Sequence, residues 1–208
     1  GYAVALFHLV TRNRRRWGGY IVHVGIVMIY FAFAGAAYNV DERQHMLPGD
    51  QVDITSPFGH TYTLTYEGLS VSLGRGQRNL LWQAIATVSV EQDGVAKGIL
   101  TTEKRQYVTS DQLMTEVGIR STVREDLYLI LSAMDDVDGA LSANSAAQGI
   151  DLQVLVKPFV AWIWFGGLIL ALGTVLALWP SVDRRRRSTR PELEAVTTSA
   201  PAMAGAAR

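Results

Sequence analysis

The chemistry open to this chain rests mainly on histidine, because its 208 residues include four histidines and no cysteine. The lack of cysteine excludes a disulfide framework, a thiolate metal site and a cysteine nucleophile. His23 is the most informative histidine, since it lies inside a long apolar run, where an ionisable side chain marks a candidate functional site. Imidazole is a ligand of metal ions and haem iron, and one histidine per helix suits a bis-histidine haem.

Two interpretations of His23 stay open from the residues alone. It is either an axial ligand, or a neutral residue that makes an interhelical hydrogen bond or lies near the membrane interface. Gly19 lies four residues earlier on the same helical face, where the lack of a side chain would let a flat macrocycle or a second helix approach closely. The candidate cofactor-binding residues are therefore His23, as a metal ligand, and Gly19.

The other titratable residues carry weaker signals. His8 lies near a group of arginines and fits an interfacial residue. His45 and His60 are flanked by turn residues and lack the i, i+4 spacing of a helical zinc pair, so we expect polar surface residues. Glu125 and Asp126 are paired carboxylates, but neighbours on a strand point to opposite faces, which favours structural or solvated roles. No catalytic residue is identified.

Two apolar segments must position these residues. Residues 18–38 and 159–179 each have 21 residues, enough to cross the hydrocarbon core of a bilayer as a helix about 30 Å long. Arginines cluster at residues 12–16, before the first segment, and at residues 184–190, after the second. The positive-inside rule then places both chain ends in the cytoplasm. Residues 39–158 are expected in the periplasm of a bacterial inner membrane.

The remaining segments extend this topology. Residues 1–10 are apolar, so we interpret residues 1–17 as the end of an earlier helix followed by a basic cytoplasmic loop. This predicts that the chain is the C-terminal part of a larger multi-pass protein. Residues 180–208 are expected to form a basic, disordered cytoplasmic tail. The arginine clusters could bind anionic lipid, although topology alone explains them.

With only 18% charged residues, the composition argues against a nucleic-acid partner.

Residues 39–158 show the period-2 alternation of β-strands. One face carries Tyr62, Leu64 and Tyr66, and further alternating runs are Leu69–Val71–Leu73, Ala84–Ala86–Val88–Val90, Val117–Ile119, Leu127–Leu129–Leu131 and Leu152–Val154–Val156. Asp93-Gly94 is a hairpin turn pair, and residues 135–149 have the composition of an exposed loop. Seven to nine short strands predict an all-β sandwich or barrel between two transmembrane helices.

Several motifs resemble one family. The run RRRWGGYIVHVGIVMIYFAFAG at residues 14–35 is similar to a late transmembrane helix of the CcmF-type cytochrome c haem lyases, the CcmF/CycK/NrfE family. Further similarities are PGD at residues 48–50, EKRQY at 103–107, TEVGIRST at 115–122 and EDLYL at 125–129, and the last span, residues 157–178, resembles the family's final helix. The resemblance covers residues 12–180.

The resemblance implies a function in system I cytochrome c maturation. Members of this family receive haem from the haem chaperone CcmE and, with CcmH and CcmI, help attach it covalently to apocytochrome c. They hold a membrane-embedded haem b between two histidines on different helices, and His23 matches one of those ligand positions. A reducing role for this haem, with quinol as a donor, follows as an expectation.

This sequence also departs from the family pattern. The tryptophan-rich external segment and its two flanking histidines are absent, and no second span carries a histidine. We therefore expect the second axial ligand outside this sequence, and the chain alone is an incomplete lyase, either a fragment or one piece of a split protein. The alternative interpretation is a cofactor-free, membrane-anchored docking module for the maturation complex.

Overall fold

The computed structural model describes residues 1–2, 13–74, 79–142 and 147–179. The predicted tail at residues 180–208, most of residues 1–17 and His8 lie outside the described residues. The helices are α1 (Arg14–Ala34), α2 (Val137–Ser142) and α3 (Val160–Leu178), and a 3-10 turn (Gly35–Tyr38) follows α1. Helices α1 and α3 are long and apolar enough to span a bilayer.

Helices α1 and α3 are antiparallel and packed backbone to backbone. The buried residues of α1 are Gly18, Gly25 and Ala32, each seven residues from the next, and those of α3 are Gly166 and Gly173. A Cβ atom added at Gly25 would lie 2.7 Å from the Gly166 carbonyl oxygen, a distance that real side chains do not reach. Small residues at this spacing let the two helices approach closely without a hydrophobic driving force between them.

The domain between these helices has nine strands in two antiparallel sheets. The smaller sheet has the order β1-β9-β8-β7 and the larger has the order β2-β3-β4-β5-β6. The strands are β1 (Val40–Met46), β2 (Gln51–Thr55), β3 (Thr61–Leu73), β4 (Leu80–Gln92), β5 (Val95–Tyr107), β6 (Ser110–Glu116), β7 (Gly118–Ser121), β8 (Glu125–Met134) and β9 (Ile150–Pro158). The prediction of an all-β sandwich flanked by two membrane helices is confirmed.

The inner faces of the two sheets form one apolar core. Alternate residues of β3, β4, β8 and β9 are buried, and these are the residues on which the sequence prediction of strands rested. Asp93 and Gly94 have positive φ angles of 52° and 74°, so they form the expected two-residue turn between β4 and β5. A bulge at Gly68, which has a φ of 144°, shifts the register of β3 against β4, so that Leu69 is the next buried residue after Tyr66. Leu73, the last residue of β3, is half exposed.

Polar bonds also tie the two sheets together. The Thr102 hydroxyl of β5 accepts a hydrogen bond from the Leu131 backbone of β8 and donates one to the Glu116 carbonyl, both at 3.0 Å. The Lys104 ammonium donates to the Ser132 carbonyl across the same gap, and burial lowers the pKa of Lys104. These bonds satisfy polar groups that the core would otherwise leave unpaired.

Three strands carry weak sequence signals. Strand β1 has the sequence VDERQHM and lies at a sheet edge, where charged residues protect an open edge from further pairing. Strands β2 and β6 are also edge strands.

The structure differs from the prediction at residues 135–149. These residues were expected to form an exposed loop, but they contain α2, and Ala140 is buried in the core.

The β domain joins the helices through a short, bonded junction. Phe159 takes a left-handed conformation with φ of 62°, and its N–H donates to the Arg124 carbonyl at 2.7 Å. The Trp162 indole N–H donates to the Val123 carbonyl at 3.0 Å. The loop before β8 is therefore fixed to the first turn of α3, at the bilayer end of the domain.

Aromatic rings reinforce this junction. Phe159 lies 4.7 Å from the Phe31 ring of α1 and 5.3 Å from the Phe58 ring of the β2–β3 turn, measured between centroids. A Cβ atom at Gly35 would lie 2.9 Å from the Phe159 ring, so the turn after α1 also packs here. Four separate segments thus meet at one aromatic cluster, which orients the sandwich relative to the helix pair.

At the opposite end, His45 of β1 bridges to two carboxylates. Its Nδ1 atom lies 2.9 Å from Asp151 of β9 and 3.7 Å from Asp135, which follows β8. The hydrogen bond to Asp151, then the charge of Asp135, raises the pKa of His45 above its ordinary value of 6.5. The expectation of a polar surface residue holds, with two partners that the sequence pattern did not reveal.

The helix pair should depend on Gly166 and be insensitive to Gly167. In Gly166→Ala the new methyl group would lie 2.7 Å from Ile29 and 2.8 Å from the Gly25 carbonyl, so the helices must separate, at a cost of about 1–3 kcal/mol. In Gly167→Ala the methyl group meets no atom within 4 Å. Thermal unfolding midpoints in detergent should fall for Gly166→Ala alone. Equal midpoints for both variants would contradict the close helix contact.

The stability of the β domain should fall as pH rises through the folded-state pKa of His45. Because that pKa is raised, the stabilisation is fully present below about pH 6.5 and is lost above the raised value. Thermal unfolding of the wild type, measured between pH 5 and pH 9 at steps of about one pH unit, would show this decrease in stability. The variants His45→Gln and Asp151→Asn should each flatten it, and an unchanged slope in both would contradict the bridge.

Candidate haem-ligand site

Helix α1 presents His23 on the face opposite to α3. At 100° per residue, His23 lies about 140–160° around the helix from Gly18 and Gly25, which pack against α3. The side chain is exposed in this chain, and Val27 and Tyr30 on neighbouring positions are also exposed. A partner for His23 must therefore approach from the side away from α3.

The backbone of α1 fixes the orientation of the His23 ring. Its Nδ1 atom lies 2.7 Å from the carbonyl oxygen of Gly19. Because a carbonyl oxygen only accepts hydrogen bonds, Nδ1 carries the proton and Nε2 keeps its lone pair in the neutral ring. A histidine whose Nδ1–H is held by a carbonyl is the usual arrangement of a metal-ligating imidazole.

Gly19 leaves open space beside the ring. A Cβ atom added at Gly19 would meet no atom within 4 Å. In contrast, a Cβ atom added at its neighbour Gly18 would lie 2.6 Å from the backbone nitrogen of Ala177. The pair Gly18-Gly19 thus combines one glycine required by the helix contact with one that keeps the outer face flat. Gly19 also supplies the carbonyl that holds His23, so both candidate residues belong to one turn of α1.

His23 lies near the basic end of its helix. It is seven residues from Arg16, or about 10 Å along the axis. Arg16 donates to the Tyr20 hydroxyl at 2.9 Å, and Trp17 packs edge-on against the Tyr20 ring at 5.9 Å. Arginine, tryptophan and tyrosine at one helix end are typical of a membrane interface. The candidate ligand is therefore about two helical turns inside that interface.

The described residues supply one histidine to the helix pair. His45 and His60 belong to the β domain, where each pairs with an aspartate; the Nδ1 atom of His60 lies 2.7 Å from Asp93. No group of three or more histidine, aspartate or glutamate side chains suited to a metal ion occurs in the described part of the chain. The described part of the helix pair therefore offers one imidazole donor, that of His23.

A buried carboxylate is the main polar feature that sequence reasoning missed. Glu125 is 2% exposed, and its carboxylate accepts hydrogen bonds from the Ser56 hydroxyl and, at 2.8 Å, from the Tyr62 hydroxyl. Burial, and then the bond to Glu125, raises the pKa of Tyr62 above 10.0. Asp126 is also buried and accepts from the Thr122 N–H at 3.3 Å. Both carboxylates are structural, and neither is solvated.

The chain matches a known family over the β domain. A family model described as the CcmF C-terminal beta-sandwich matches residues 37–158, more than half of the chain. A solved structure titled cytochrome c heme lyase CcmF has the same fold, with a TM-score of 0.62 and 19% identity over 82% of this chain and 26% of the other.

Curated relatives match a larger share of the chain than the β domain alone. The cytochrome c-type biogenesis protein CcmF of Escherichia coli (strain K12) is 33% identical over 180 residues, covering 85% of this chain and 25% of the relative. The protein of the same name from Pseudomonas fluorescens is 33% identical over 181 residues, covering 86% and 24%. The chain spans about a quarter of the length of these relatives. With the β domain matched by the family model and most of the chain matched by these relatives, the chain belongs to the CcmF family of membrane proteins that act in cytochrome c biogenesis.

Proposed function

We propose that this chain forms part of a haem lyase that takes haem from a chaperone and attaches it covalently to apocytochrome c. In this proposal the helix pair holds one side of a membrane haem b, and His23 is an axial ligand of its iron. The observation that carries the proposal is the His23 ring, whose Nδ1 is fixed by the Gly19 carbonyl at 2.7 Å while Nε2 is open on the outer helix face.

Each residue of this turn has a defined contribution. Nε2 of His23 would hold the iron, and the Gly19 carbonyl, by accepting from Nδ1–H, would fix the tautomer and make the ring a stronger donor. The missing side chain of Gly19 allows a flat macrocycle to lie close to the helix. Haem bound here supplies one-electron transfer, which we propose keeps the substrate haem iron ferrous with quinol as the donor.

The proposed topology follows from the charges at the helix ends. Arg14, Arg15 and Arg16 begin α1 at the cytoplasmic side, and the β domain then lies in the periplasm. There it would act as a platform for the haem chaperone CcmE, for CcmH or CcmI and for apocytochrome c. The end of the domain farthest from the bilayer carries Asp135 and Asp151 around His45, so it would favour a basic partner surface.

A second candidate function is a cofactor-free docking module anchored by two helices. The complete sandwich core supports it, because the domain has its own apolar interior that does not involve α1 or α3. In that case His23 would contact another helix through a hydrogen bond. The two functions differ in whether removal of His23 changes a haem signal.

The test is a reduced-minus-oxidised absorption spectrum of the full-length protein in detergent, comparing His23→Ala with wild type. The low-spin b-type signal should be lost, either with the haem or because haem held by one remaining ligand becomes high-spin, and added imidazole should restore it. His45→Ala is the matched control, since it removes a histidine from the β domain, and its spectrum should equal that of wild type.

The outcomes separate the two functions. An unchanged signal in His23→Ala would assign the ligand to another residue and overturn the role of α1. The absence of a haem signal in every form, together with normal partner capture, would favour the docking module. Loss of the signal in His23→Ala with normal cytochrome c maturation would keep the ligand but overturn the reducing role.

A further inference from the structure

Three loops of the β domain face the bilayer. They are the β2–β3 turn at residues 56–60, the Asp93–Gly94 hairpin and the segment at residues 122–124. Their position is fixed because Trp162 and Phe159 of the α3 start bond directly to the last of these loops. The helices cover part of this end of the sandwich, and the rest is open toward the membrane surface.

An exposed apolar side chain lies in or directly after each of the three loops. Phe58 is 39% exposed, Val95 is 57% exposed and Val123 is 58% exposed. Exposed apolar side chains on loops beside a membrane span are favourable when they enter the boundary between headgroups and acyl chains. The position of these three residues therefore indicates a lipid surface as the contact of this end of the domain.

A cavity of about 210 Å³ opens between these loops. It lies between the ends of the two sheets, close to the start of α3, and its lining combines polar groups with one apolar side chain. The lining residues are His60, Gln92, Thr122, Val123, Arg124 and Glu125.

Arg124 is the cation in this cavity without a counter-charge of its own. The two nearby acids bond to other groups: Glu125 accepts from the Ser56 and Tyr62 hydroxyls, and Asp93 is bonded to His60 at 2.7 Å. Within residues 13–74, 79–142 and 147–179, the Arg124 guanidinium, exposed to solvent, has no bonded partner. Its planar donors match the oxygens of a phosphate group in a bidentate arrangement.

We propose that this cavity binds the phosphodiester of a membrane phospholipid, with Arg124 as the anchoring cation. The acyl chains would pass Val123 and the Trp162 ring into the bilayer, beside the N-terminal turn of α3. The lipid then lies beside the junction that the aromatic cluster holds, and it adds a contact between this end of the sandwich and the membrane surface. This site is independent of His23 and of any haem.

The test uses native mass spectrometry of the full-length protein after delipidation, titrated with dioleoyl phosphatidylglycerol. Wild type should retain a bound lipid whose apparent affinity falls about tenfold in Arg124→Gln, the scale of one charge-assisted hydrogen bond. Arg43→Gln is the matched control. Arg43 is an exposed arginine of β1 that pairs in register with Gln153, away from the bilayer end, and its removal should change nothing.

Further probes distinguish a lipid from a free anion. Val123→Ser should weaken phosphatidylglycerol binding without changing the weak binding of inorganic phosphate, and dioleoylglycerol, which lacks the phosphate, should not bind at this site. Equal affinity of wild type and Arg124→Gln for phosphatidylglycerol would overturn the proposal. Inorganic phosphate binding at Arg124 as tightly as the lipid would also overturn it, since the site would then serve a soluble anion.

Discussion

The contact between the backbones of α1 and α3 is the constraint on which the other features depend. Gly25 and Gly166 meet with no space for a methyl group, and the same spacing recurs one heptad away. This contact brings the end of α1 and the start of α3 together, which allows the rings of Phe31 and Phe159 to pack against each other. It also takes up one whole face of α1. His23 is consequently presented on the opposite face, where a cofactor or a further helix can reach it.

The junction transmits this arrangement to the β domain. Phe159 has a strained left-handed backbone, and its N–H bond to the Arg124 carbonyl and its three ring contacts hold it there. Because Val123 and Arg124 are bonded to the first turn of α3, the loop that carries them moves with the helix pair. The sandwich is thus oriented by contacts at the end where the chain enters and leaves the helix pair.

Local patterns in the sequence were sufficient for the core and for the helices. Period-2 alternation predicted β3, β4, β8 and β9, because each has one buried face, and the Asp93-Gly94 pair predicted its turn. The edge strand β1 was not predicted, because it carries charged side chains and lacks the alternation of apolar and polar residues that marks a core strand. Hydrogen bonds between residues far apart in the sequence could not be predicted either. Glu125 is buried with Ser56 and Tyr62 as its donors, and both lie over 60 residues before it in the chain. The His23–Gly19 pair was accessible, because i, i+4 geometry is local, but the role of His23 remains a proposal.

The pairing of β1 with β9 has a consequence for how such a protein is built. Val40 and Val156, the residues closest to the two helices, are direct partners across these strands. The chain therefore leaves the membrane and returns to it within one strand spacing, about 5 Å. In this sense the entire sandwich is an insertion into the connection of a simple helical hairpin. Such an insertion can change in size or surface, within a family, without moving the helices that flank it.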